Sequence, residues 1–167
     1  MSSEPGDPGS TDAGGGPVRP GVALALATIS FVTLVIFGFG MLSLAADVDV
    51  IAVPGLGQVP GIVATTAATI AFAGSLWPIV RRPQPSYGGS AITALAGFLA
   101  YVIGLWVAAV AGGADLARAG AAAAGFATSG FALVLAGAGL VAGWGGIALV
   151  RTRARRPRWP WEDEFDQ

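Results

Sequence analysis

The chain has 167 residues, enough for one compact domain and too few for two of ordinary size. Apolar residues make up 54% and charged residues only 11%, against roughly a quarter charged in an average soluble domain, so water is a poor solvent for this surface and lipid a suitable one. The net charge of −1 says little, but the absence of Cys and His excludes thiolate and imidazole chemistry, disulfides, and zinc or haem ligation by the usual side chains.

Residues 1–21 are rich in Gly, Pro, Ser and acids and almost devoid of large aliphatics. Such a segment cannot bury enough apolar area to offset its ordering entropy, so a disordered tail is expected there. Residues 22–46 then run without a charge, long enough at about 1.5 Å per residue to cross a ~30 Å hydrocarbon core with some tilt. This stretch exceeds a signal-peptide core of about 7–15 residues and its leader is acidic, so a retained span is expected rather than a cleaved signal.

The linker 47–60 contains VPGLGQVP, whose prolines and glycines interrupt a helix. A second span is expected at 61–80, with Pro60 at a first turn where its missing N–H costs nothing. The loop RRPQPSYGGS turns the chain back into a third span at 91–111, ended by Gly112 and Gly113. Residues 121–150 are uncharged and too many for one untilted crossing. A short interfacial helix near 114–123, a bend and a fourth span at 128–150 accommodate them. The expected fold class is therefore an all-α membrane protein, a bundle of four transmembrane helices with no β-sheet. A polar tail at 151–167 follows.

Every basic residue is Arg, which we read as genomic composition, and their placement is informative. Arg19, Arg81, Arg82 and the five arginines from Arg151 to Arg158 flank one side of the spans, and Arg118 alone flanks the other. The positive-inside rule then puts both termini in the cytoplasm of a cell-membrane protein, as an even number of spans also requires.

None of the four expected spans holds an Asp, Glu, Lys, Arg or His. That speaks against proton-coupled transport through a buried carboxylate and against intramembrane aspartyl proteolysis, and an enzymatic function is not expected. Serines at 30, 75 and 129 lack a His or Lys to act as base. No cofactor and no metal site is expected, the acids Asp47, Asp49 and Asp115 being read as solvated or paired with Arg118.

The clearest pattern in the spans is small residues every fourth position: Ala96, Ala100, Gly104, Ala108 and Gly112. Helices in lipid associate by close backbone approach along such ridges, so this one is assigned to helix packing, within one bundle or between copies in a homo-oligomer. Leu105 is expected on another face, where truncation is mild.

The tail RTRARRPRWPWEDEFDQ orders five arginines, then Trp159 and Trp161, then Glu162, Asp163 and Glu164. The arginines suit anionic lipid at about 1 kcal/mol each, and tryptophans suit the interface. The acidic end suits neither lipid nor nucleic acid, and aromatic anchors beside charge suit docking to a partner. With four spans, RRPRWPWEDEFD resembles a group of small actinobacterial membrane proteins of unknown function that share a polar N-terminus and an RPRWPWE-type tail. The resemblance implies membrane residence and adds no site. The leading functional expectation is a non-enzymatic accessory or scaffold subunit with a docking tail. The alternative is an oligomeric channel or carrier for a small neutral solute, lined by Thr65, Thr66, Thr69, Thr93 and Thr128.

Overall fold

The computed structural model describes residues 18–50 and 57–151. Five helices account for nearly all of them: α1 Pro20–Ala46, α2 Val59–Val80, α3 Gly89–Ala111, α4 Leu116–Ala127 and α5 Gly130–Arg151. No strand occurs among the described residues. Helices α1, α2, α3 and α5 are long and apolar enough to cross a membrane, which makes this an all-α, multi-pass membrane architecture.

The first three helices begin two residues ahead of the apolar runs. Pro20 opens α1 behind Arg19, and Pro60 sits in the first turn of α2, places where the ring's fixed φ suits a helix and no N–H is needed. Gly89 and Ser90 add the first turn of α3. At the other end of α1, Asp47 takes a left-handed φ of 52°, a conformation a short polar side chain tolerates better than most.

The long uncharged run divides at Thr128 and Ser129. The short helix extends to Ala127, one turn beyond the expected 123, and the last span starts at Gly130 rather than 128. The last turn of α4 tightens at the break. Thr128 N–H still donates to the Ala124 carbonyl at 3.1 Å, but Ser129 N–H donates to the Phe126 carbonyl three residues back at 3.0 Å, and Ser129 Oγ adds a second bond to that carbonyl at 2.7 Å.

Around the bundle the order is α1, α2, α3, α5, with α2 and α5 touching across the diagonal. Helix α5 runs antiparallel to α3, Gly143 lying against Ser90 and Gly139 against Ala94. Carried along this register, α5 begins opposite the stretch about two turns before α3 ends. Helix α4 packs on α3 and covers that end. It does so through Ala119, Ala122, Ala123 and Phe126, all buried.

The interior is filled by rings and small residues. Phe31 of α1 stacks on Phe72 of α2, centroids 4.5 Å apart and planes 7° from parallel. Toward the α4 end, Tyr101 stacks on Phe126 at 4.2 Å while Phe39 meets Tyr101, Phe126 and Phe131 edge-on. In lipid the stabilisation comes from this packing and dispersion rather than from removal of apolar surface from water.

Candidate functional site

The small-residue ridge of α3 lies on a flank of the helix. Ala96, Ala100, Gly104 and Ala108 are half-buried, and Gly112, at the C-cap, is exposed. At Gly104 the helix closes on α2: a Cβ there would lie 3.1 Å from Ala67 Cβ and 3.2 Å from Ala64 Cα. The innermost face is a neighbouring stripe with Thr93, Gly97, Tyr101, Leu105 and Ala109. Leu105 is fully buried, so the expectation that it occupies a tolerant face is corrected. A four-residue ridge drifts around a 3.6-residue helix, so its spacing alone does not fix which stripe points inward.

Tighter approaches occur on α5. A Cβ at Gly139 would meet Ala94 Cα at 2.9 Å, and one at Gly143 would meet Thr93 Oγ1 at 2.6 Å. On the other side, Gly146 faces Ala27, and Gly38 of α1 faces Val134. Two glycine-lined seams therefore hold α5 to α3 and to α1.

At the end of the bundle that carries Arg19, Arg81, Arg82 and Arg151, aromatic rings gather beside cations. The Arg151 guanidinium lies 4.5 Å over the Tyr87 ring and donates to the Pro85 carbonyl at 3.3 Å. Tyr87 in turn stacks on Trp144, centroids 6.1 Å apart, and Arg81 lies 5.2 Å over Trp77. These contacts were not anticipated. A signal was available in α5, where Trp144 and Arg151 stand seven residues apart, two turns along one face. Trp144 also walls an open groove of about 850 Å³ between α1 and α5, with Leu26, Ile29, Leu34, Val141 and Leu149 among its lining.

At the opposite end, Asp115 caps α4. Its Oδ1 accepts the Arg118 backbone N–H at 2.9 Å, and its Oδ2 stands 3.9 Å from Arg118 Nε. The hydrogen bond from the Arg118 backbone, aided by that guanidinium, holds the Asp115 carboxyl below its ordinary pKa. Among the described residues no three acids come together as metal ligands, and Asp47 and Asp49 are exposed.

The threonines expected to line a pathway turn their hydroxyls back on their own helices. Thr65, Thr66 and Thr69 donate to the carbonyls of Gly61, Ile62 and Thr65 at 2.8–2.9 Å. Thr93, fully buried, donates to Ser90, and Thr128 to Ala124. Trp159, Trp161, Glu162, Asp163 and Glu164 lie outside the described residues, as do residues 1–17 of the expected N-terminal tail.

A family model described as a family of unknown function (DUF6121) matches residues 21–167, the whole bundle and the C-terminal tail. No curated protein matches the chain. No solved structure matches it either.

Proposed function

Since the chain belongs to DUF6121, a family to which no function is attached, we propose its role from its own residues: a non-enzymatic accessory or scaffold subunit of the cell membrane that offers its C-terminal tail to a cytoplasmic partner. The observation that carries this reading is the bundle interior. Phe31, Phe72, Tyr101, Phe126 and Leu135 fill it, and the threonines that would serve a solute pathway are bonded within their own helices. A carrier for a neutral solute needs hydroxyls free to replace water around the solute. A scaffold needs only a rigid anchor and a recognition element.

The recognition element is the tail, in which Trp159 and Trp161 supply aromatic area and Glu162, Asp163 and Glu164 supply charge. The arginine distribution supports a cytoplasmic location for that tail, and its likeness to the RPRWPWE-type tails of small actinobacterial membrane proteins supports membrane residence.

The test is detergent extraction and affinity capture of the full-length chain, compared with a truncation at Arg156 and with Trp159→Ala combined with Trp161→Ala. The intact chain should retain a defined cytoplasmic partner that both variants lose at unchanged membrane abundance. Capture of the same partner by all three would remove the tail from the mechanism.

A further inference from the structure

The groove between α1 and α5 has three properties that together point to one occupant. Its walls are aliphatic, relieved only by Ser30 and Thr33 and by the Trp144 ring. It is also limited in depth. From Val18 at the mouth the lining reaches no further than Leu34, near the middle of α1, and the facing stretches Leu26 to Leu34 and Val141 to Leu149 each cover about 12 Å, close to the ~15 Å of one leaflet's hydrocarbon. Deeper in the bundle the two helices close, Val134 filling the space beside Gly38 and Leu42 that beside Gly130.

The third property is charge at the mouth. Val18 lines the groove and Arg19 follows it at the N-cap of α1. Arg151 stands two residues beyond the lining Leu149, and its guanidinium rests on Tyr87, which stacks on the groove wall at Trp144. One bond to Pro85 engages one of the guanidinium's five N–H groups. Among the described residues every charge at this end is positive, the acids Asp47, Asp49 and Asp115 lying at the other.

We infer that the α1/α5 groove binds a single anionic phospholipid, its acyl chain against Leu26, Ile29, Val141 and Trp144 and its phosphate met by Arg19 and Arg151. A groove that ends at mid-membrane suits a chain anchored at one interface. A helix from a second copy would need a seam running through both leaflets, and the α1/α5 surface is closed over the far half. Cationic residues at the mouth select an anionic headgroup over a zwitterionic one, since each guanidinium near the surface favours negative lipid.

The probes are dioleoyl phosphatidylglycerol and dioleoyl phosphatidylcholine, added to delipidated full-length protein and counted by native mass spectrometry. The wild type should hold one phosphatidylglycerol at an affinity about tenfold above phosphatidylcholine. Arg19→Gln with Arg151→Gln should erase that preference, bringing phosphatidylglycerol affinity down to the level of phosphatidylcholine in the same variant. Gly145→Phe places a ring in the groove from a position where a Cβ meets nothing within 4 Å, and it should remove both lipids. The arginine pair keeps the question open to refutation even where Gly145→Phe fails to fold, because neither arginine is part of the groove's lining. Equal binding of the two lipids by the wild type, or an unchanged preference in the arginine variant, overturns the inference. So does a dimer in which Gly145→Cys cross-links to its counterpart in the second copy, which would put a protein in the groove.

Discussion

Gly139 of α5 passes Ala94 of α3 so closely that a Cβ on the glycine would lie 2.9 Å from the Ala94 Cα. The obstacle is main chain, which cannot rotate away, so the two helices must separate to admit even a methyl group. Gly139→Ala should therefore cost about 1–3 kcal/mol, the usual range for overpacking a tight contact. Gly137→Ala, two residues earlier where nothing lies within 4 Å, is the matched control and should leave the protein unchanged or slightly more stable. Thermal unfolding in detergent distinguishes them, and equal midpoints would mean that α3 and α5 do not meet as described.

On α3, Gly104→Leu and Leu105→Ala should both destabilise, for opposite reasons. The leucine at 104 would drive α3 from Ala64 and Ala67 of α2. The alanine at 105 would leave a cavity in the core, a change that costs about 2–5 kcal/mol. Leu99→Ala, on the outward face, should be tolerated. Accumulation of folded protein after detergent extraction checks all three.

The Asp115 cap makes the start of α4 sensitive to acid. Its pKa is lowered in the folded chain, so its contribution is fully present above the unfolded carboxylate value and is lost as pH falls through the lower folded value. Amide exchange protection around Arg118 should accordingly decline only at pH below the ordinary carboxylate range. Asp115→Asn keeps a capping side chain without a titrating group, so its protection should lack this acid-dependent loss. A decline shared by both proteins would assign the loss to another group.

The arrangement of arginines makes a topological prediction that the Cys-free background renders simple to read. Gln58 and Ser86 are both exposed, at opposite ends of α2. Gln58→Cys should react with an impermeant maleimide in intact cells, whereas Ser86→Cys and Gln167→Cys should not. Labelling of Ser86 with protection of Gln58 would invert the proposed orientation.

The number of long helices and their approximate ends were legible because each depends on a one-dimensional property. A charge-free stretch needs a minimum length to cross hydrocarbon, and the breaks at 47–60, 81–90 and 112–115 announce themselves through Pro, Gly and charge. The division of residues 121–150 was also legible, because thirty uncharged residues exceed one crossing. Its position was not, since no Pro or charge marks the point where Ser129 turns both its N–H and its hydroxyl onto the Phe126 carbonyl.

By itself, then, the sequence determined that this protein is helical, multi-pass and strongly asymmetric in its arginines, all consequences of which groups lipid accepts. Only the tertiary structure decided which helix faces meet. Ala and Gly recur so often that several ridges have suitable spacing, and the choice among them rests on contacts with other helices. It put Leu105 inward and left Ala96 and Ala100 on a half-buried flank. It also assembled Arg151, Tyr87 and Trp144 from two separate segments at the rim of the α1/α5 groove. A stack of that kind has no one-dimensional signature, because its partners are brought together by the antiparallel register of α3 and α5, and that register is set by glycines whose only distinguishing property is how close another backbone comes to them.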